Sequence, residues 1–147
     1  LINVYTDGSC LGNPGNGGWA FLIAEERSIR YRAGFEKNTT NNQMELLAAI
    51  KALEFLNTYI DITINTDSNY VKEGITTWIF NWKKNNWKTS TKQPVKNKEL
   101  WERLDNLCEM KNISWSWVKA HNTSKFNNQV DELARKAAES LTESSFN

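Results

Sequence analysis

The order of patterns along these 147 residues predicts a mixed α/β fold, a five-stranded sheet flanked by helices. Two observations predict it. Three strand-like runs joined by turn residues come first, and strand patterns then alternate with helical ones, as in a mixed sheet with helices packed on it. Residues 2–7 alternate and are rich in β-branched side chains, giving the first strand. The stretch 8–18 holds five of the seven glycines and reads as a turn cluster. Residues 19–23 form the second strand and 28–34 the third. Residues 42–57 read as a helix that is apolar almost all round and therefore buried. A fourth strand follows at 61–67, then short helices at 68–74 and 77–87, and a longer one at 97–110 with Leu100, Leu104 and Leu107 on one face. Residues 114–119 make the fifth strand. A polar loop at 120–129 leads to a last helix from Val130 to about Thr142 and a ragged polar tail.

The length suits one domain, residues 1–147, large enough to bury a core without staples. With 39% apolar and 24% charged residues the composition is that of a soluble globular protein, and no run approaches the roughly eighteen apolar residues of a membrane span. Cys10 and Cys108 match no metal-ligand spacing and read as reduced thiols. With no secretory pattern, they predict a cytoplasmic protein, and a monomer is expected.

The formal net charge is only +1, yet positive charge is concentrated locally: Lys83 to Lys98 contains six lysines and no carboxylate, and Trp78, Trp82 and Trp87 are interleaved with its start. Lysines track a polyanionic backbone and aromatic faces pack on sugars or bases, so this arm has the composition of a nucleic-acid groove. The competing reading is an amphipathic helix, since Trp78 and Trp82 are an i, i+4 pair whose indoles could be core.

Four carboxylates occupy places where chemistry collects. Asp7 closes the first strand and Asp67 the fourth; if those strands are parallel neighbours, the two lie side by side at the C-terminal edge, where open α/β sheets bind ligands. Glu45 is set among Met44, Leu46, Leu47 and Ala48 on the buried helix, so its charge must be paired or coordinated. Asp131 opens the last helix. Each has an ordinary explanation as a turn, cap or dipole residue. Together, without cysteine or histidine ligands, they describe an all-oxygen site suited to magnesium or manganese rather than zinc. The glycine-rich stretch from Gly8 lacks the Gly-Lys-Ser/Thr ending of a phosphate loop. The sole histidine, His121, lies in the polar loop ten residues before Asp131, where a proton shuttle could work.

At this point the chain resembles the type 1 ribonuclease H family of bacteria, which cuts the RNA strand of RNA–DNA hybrids. The resemblance runs nearly end to end. It is carried by Tyr-Thr-Asp-Gly-Ser-Cys-Leu-Gly-Asn-Pro-Gly at 5–15, Thr-Thr-Asn-Asn-Gln-Met-Glu-Leu at 39–46, Thr-Asp-Ser-Asn-Tyr-Val at 66–71 and Gly-Ile-Thr-Thr-Trp-Ile at 74–79. Asn-Trp-Lys-Lys at 81–84, Trp-Val-Lys-Ala-His at 117–121 and Val-Asp-Glu-Leu-Ala-Arg at 130–135 continue it.

The resemblance implies a ribonuclease H-like fold and an endoribonuclease that uses two magnesium ions, or manganese, when its RNA–DNA hybrid is bound. It implies Asp7, Glu45, Asp67 and Asp131 as metal carboxylates and His121 as the group that helps move protons or release product. Trp78, Trp82, Lys83, Lys84, Trp87 and Lys88 would grip the DNA strand. Cys10, Asn13, Asn41, Asn42 and Asn69 would read the minor groove and the 2′-hydroxyls, and Thr40 and Asn97 would form a DNA phosphate pocket. Amides suit this, because a 2′-hydroxyl both donates and accepts hydrogen bonds and alone distinguishes RNA from DNA at a site. Two departures fall near His121: Ala120 stands where the family usually has glycine, and 122–129 lacks glycine, with Asn128 replacing a frequent glutamate. A stiffer loop is expected.

Two rival functions are weaker. A silent hybrid-binding module would gain nothing from clustered carboxylates beside phosphate. A glycosidase would leave the lysine run and the asparagines without a purpose.

Overall fold

The computed structural model describes residues 2–118 and 125–147. Six strands form one sheet in the order β5-β4-β1-β2-β3-β6. β1 (Ile2–Gly12), β2 (Gly15–Ala24) and β3 (Ile29–Thr39) are an antiparallel meander. β4 (Asp61–Thr66) and β5 (Asn112–Trp117) add in parallel beside β1. The expected mixed sheet is therefore present, with one strand more than the five read from the sequence.

The extra strand, β6 (Ser144–Phe146), lies in the stretch expected to be a ragged tail. It pairs antiparallel with β3, and Phe146 stacks on Tyr31 with ring centroids 5.9 Å apart. One aromatic contact and a three-residue ladder leave almost no periodicity to read in a sequence.

The glycine cluster behaves differently from a turn. Only Gly12, at φ 81°, adopts the left-handed backbone that a side chain would strain. Gly8, Gly17 and Gly18 lie within strands where helices approach, while Gly15 is crowded by Leu11 across the hairpin. A Cβ on Gly8 would come within 2.4 Å of the Glu45 backbone nitrogen, and one on Gly18 within 2.1 Å of the Ala134 carbonyl oxygen. Close helix-to-strand approach, rather than chain reversal, explains both positions.

α1 (Asn41–Phe55) is buried along most of its length, as its all-round apolarity requires. Its start is fixed by a capping box: the Gln43 N–H donates to the Thr40 hydroxyl and the Thr40 N–H to the Gln43 side chain. A cap of this kind is worth about 1 kcal/mol. α2 (Asn69–Glu73) is capped by Ser68 and continues through a π-helical turn (Gly74–Trp78) into α3 (Ile79–Lys84). The single helix expected over 77–87 thus ends at Lys84, and Asn86 and Trp87 follow with φ of 55° and 59°. α4 (Lys98–Cys108) lays the buried Trp101 and Leu104 on the core.

α5 (Lys125–Ser140) begins five residues before the expected Val130. Phe126 supplies the reason: its ring packs on Tyr5 at 5.4 Å, extending the apolar face of Val130, Ala134 and Ala137 by another turn despite polar neighbours. Asp131 consequently sits in the second turn of the helix instead of opening it.

Two apolar clusters sandwich the sheet. One joins Val4, Ile62 and Ile64 to α1, Trp101 and Leu104; the other joins Ala20, Leu22 and Ala33 to α5. Residues 4 and 5 of β1 point to opposite clusters, the alternation a strand imposes. Among the described residues no helix is long and apolar enough to cross a membrane.

Candidate active site

β1 and β4 are parallel, and their pairing ends with Tyr5 opposite Asn65. Asp7 and Asp67 each lie two residues further on, so the same register carries both carboxylates side by side past the end of β4. β1 continues to Gly12 on β2 alone, and the chain leaving β4 turns at Ser68 into α2. That divergence opens the sheet edge where the two aspartates stand.

Glu45 arrives from above. α1 crosses β1 at Gly8, whose N–H donates to the Glu45 carboxylate. Carboxylate oxygens of Asp7, Glu45 and Asp67 all lie within 4.8 Å of one another. Asp7 and Glu45 are 5% and 7% exposed, so two of these acids are removed from water that would otherwise solvate their charges. Burial, then the charge of Glu45, then hydrogen bonding to Asp131 push the Asp7 carboxyl up to about 11. Burial and then the charge of Asp67 raise Glu45 to about 8, against the lowering effect of its hydrogen bonds to Asp7, the Gly8 N–H and Ser68. The two acids titrate as a pair, and burial holds both above the usual carboxylate range.

A cluster that must hold protons when alone is one that a cation would relieve. Its donors are all carboxylate oxygens, which fits a hard divalent ion. Asp131 reaches Asp7 through a side-chain hydrogen bond but lies outside the set of three. It is exposed and faces Arg135 at 3.9 Å.

The other expected contacts fall into two groups. Cys10, Asn13, Thr40, Asn41, Asn42 and Asn97 gather around the start of α1. The Cys10 thiol donates to the Thr39 carbonyl, and the Asn13 side chain accepts from the Asn41 N–H at 3.0 Å. Gln43, absent from the expected site, links this group: it donates to the Asn97 side-chain oxygen at 3.1 Å while Asn97 donates to the Tyr70 hydroxyl at 3.0 Å. Asn69 is exposed at the first position of α2.

The basic arm forms the second group. Trp82 and Trp87 are half-buried against the core, Trp82 with its ring 5.3 Å from Trp101, whereas Trp78 is more open at 37% exposure. The reading of these indoles as core thus holds for Trp82 and Trp87, which support the arm from the core. Lys84 and Lys88 are exposed, but Lys83 pairs with Asp105 at 3.0 Å. That partner lies 22 residues away on another helix and leaves no local signal. His121 lies outside the described residues.

The family model described as RNase H matches residues 1–139. A protein named Ribonuclease H from Francisella philomiragia is 52% identical over 141 residues, covering 96% of this chain and 93% of that one. Another of the same name from Pseudoalteromonas translucida is 54% identical over 138 residues, covering 93% of this chain and 89% of that one. Among solved structures, LC9-RNase H1, described as a type 1 RNase H with the type 2 active-site motif, superposes with a TM-score of 0.89 at 30% identity, over 98% of this chain and 74% of that one. On a match of this extent, with curated relatives more than half identical, the chain belongs to the ribonuclease H family of hydrolases.

Proposed function

We propose that this chain hydrolyses the RNA strand of RNA–DNA hybrids by in-line attack, with two magnesium ions, or manganese, at the Asp7–Glu45–Asp67 cluster once the hybrid is bound. The observation that carries this reading is the convergence of those three carboxylates at an opened sheet edge. Ions held there would supply a readied water on one side of the phosphorus and stabilise the leaving 3′ oxygen on the other, leaving 5′-phosphate and 3′-hydroxyl ends.

The protein's own residues do the rest. Asp7, Glu45 and Asp67 would together hold the ions, and the Gly8 N–H donates to the Glu45 carboxylate within that cluster. Asp131, hydrogen-bonded to Asp7 and more exposed, is assigned as the fourth metal carboxylate. His121 is assigned proton movement or product release. Asn13, Asn41, Asn42 and Asn69, with Cys10, engage the minor groove and the 2′-hydroxyls, while Thr40 and Asn97 receive a DNA phosphate at the start of α1. Trp78, Trp82, Lys83, Lys84, Trp87 and Lys88 hold the DNA strand. The protein acts as a cytoplasmic monomer, one domain spanning residues 1–147.

Incubating labelled RNA–DNA hybrid, duplex RNA and duplex DNA with and without magnesium tests this. The expected result is cleavage of RNA in the hybrid alone, and only with metal. Efficient cutting of duplex DNA would sink the 2′-hydroxyl assignment; no cutting of hybrid under any divalent ion would sink the function.

A further inference from the structure

Beside the carboxylates lies a pair of residues that the family resemblance left without a role. Trp117 ends β5, opposite Thr66 at the end of β4. The ladder closes there with the Val118 N–H donating to the Thr66 carbonyl. The next carbonyl, that of Asp67, has left the sheet, and the Trp117 indole N–H donates to it at 3.3 Å. One edge of the ring is thereby tied to the main chain of an active-site aspartate. Its face is covered by Lys72 of α2, whose ammonium nitrogen sits 4.7 Å from the ring centroid.

An ammonium seated on an indole recurs at Lys51, 5.4 Å from the Trp19 ring centroid, but the indole under Lys72 is hydrogen-bonded to the main chain of Asp67. Lys83 and Lys136 are paired with carboxylates, whereas among the described residues no acid pairs with Lys72. An aromatic face orients an ammonium group without neutralising it, so all three N–H donors and the full charge stay available to an external anion. Ordering the long side chain in advance also removes part of the entropy cost of fixing it on a ligand. The pair is open to solvent, with Trp117 38% exposed and Lys72 half-buried. This cation stands one ring away from the main chain of Asp67, and a phosphodiester chain lying across that aspartate would carry charges every few ångströms.

We infer that Lys72, held on the face of Trp117, binds a backbone phosphate of the nucleic-acid substrate next to the cleaved bond. This rests on the proposed function, because it presumes a nucleic-acid chain lying across Asp7 and Asp67. Lys72 is a substrate-binding residue, and Trp117 positions it. The indole makes the two acts geometrically dependent, since the ring that carries the lysine is registered against the aspartate that faces the reacting phosphate.

The test compares wild type, Lys72→Gln, Lys72→Arg, Trp117→Leu and the Lys72→Gln/Trp117→Leu double variant in magnesium-dependent hybrid cleavage across a salt series. Lys72→Gln should raise KM about three- to tenfold at moderate salt and reduce the slope of log KM against log salt by about one ion, with kcat retained. Lys72→Arg should recover most of the loss, because guanidinium also stacks on an indole and keeps the charge. The double variant should lose little more KM than Trp117→Leu alone, as expected if the ring acts through the lysine. Unfolding temperatures accompany each variant, so a KM change in a protein as stable as wild type is not a folding effect. If wild type cuts hybrid but Lys72→Gln keeps its KM and salt slope, the phosphate assignment is overturned while the function stands. If wild type itself fails to cut hybrid, the function on which it rests is overturned instead.

Discussion

The backbone N–H of Gly8 donates to the carboxylate of Glu45 across the closest approach of α1 to β1, where a Cβ would stand 2.4 Å from the Glu45 backbone nitrogen and the Met44 carbonyl carbon. A site acid and the residue that allows it into place are thus the same contact. Gly8→Ala should force α1 away from the strand. Overpacking of this kind typically costs about 1–3 kcal/mol, and a shift of even about 1 Å in a reacting group can lower rate by about a hundredfold. Thermal unfolding and single-turnover cleavage check this together. A Gly8→Ala protein with wild-type rate would show that Glu45 does not depend on the approach of the helix.

Asp7→Asn should abolish cleavage and leave hybrid binding nearly intact or tighter, since it removes a metal ligand and a charge that repels phosphate. Residual activity above about a tenth of wild type would correspond to a barrier change of only about 1.4 kcal/mol and would remove Asp7 from the centre of the reaction. Binding is read separately, by fluorescence anisotropy of labelled hybrid.

The same acids make metal-free stability depend on pH. Asp7 is raised from 3.8 to about 11 and Glu45 from 4.5 to about 8, chiefly by burial. Because the folded protein holds these protons more tightly than the unfolded chain, their stabilising contribution is complete below about pH 4. It is lost progressively as pH rises through the folded values. In chelator, the unfolding temperature should therefore fall from about pH 4 up to about pH 11, with a shallower fall in Asp7→Asn. Magnesium, which competes with protons for the same oxygens, should raise the unfolding temperature more at the alkaline end. Parallel curves for wild type and Asp7→Asn would mean that the buried acids do not govern the dependence.

Within the basic arm the lysines should not contribute equally. Lys84 and Lys88 are exposed, whereas Lys83 must leave Asp105 to meet a phosphate. Replacing Lys84 and Lys88 with alanine should raise KM and lower the salt slope by about two ions, with turnover at saturation little changed. Lys83→Ala alone should do less. Asp105→Asn, which frees Lys83, should tighten binding at low salt. Equal slope changes for all three lysines would show that the Asp105 pair does not hold Lys83 back in solution.

What could be read from the sequence follows from how local each determinant is. Asp67 is legible as the end of a strand pattern and Glu45 as a charge amid apolar residues; Asp7, expected to close β1, lies inside a strand that runs on to Gly12, and meets Asp67 because the β1–β4 pairing stops at Tyr5 and Asn65. The parts that needed coordinates depend on partners distant in sequence. Gly8 and Gly18 looked like turn residues because the crossing helices, at residues 44–45 and 134, are invisible locally. The early start of α5 hangs on Phe126 meeting Tyr5, 121 residues before it, and β6 on Phe146 meeting Tyr31. Gln43 was passed over because its role is to join Thr39, Thr40 and Asn97, which only folding brings together.

His121 is bounded by two described anchors. Trp117 lies four residues before it, tied to the Asp67 carbonyl, and Lys125 lies four residues after it, at the start of α5. The proposed place of action of His121 is the carboxylate cluster. If it moves protons there, His121→Ala should slow turnover by about ten- to a hundredfold with KM unchanged; the usual range for an acid–base group is larger, but divalent ions carry part of that work. Ala120 and the glycine-free run to Gln129 have less backbone freedom than glycine would give. Ala120→Gly should then raise turnover where loop motion limits release of the cut strand. Both are measured at saturating hybrid: a fully active His121→Ala enzyme would leave the histidine a bystander, and an unchanged Ala120→Gly would end the argument from stiffness alone.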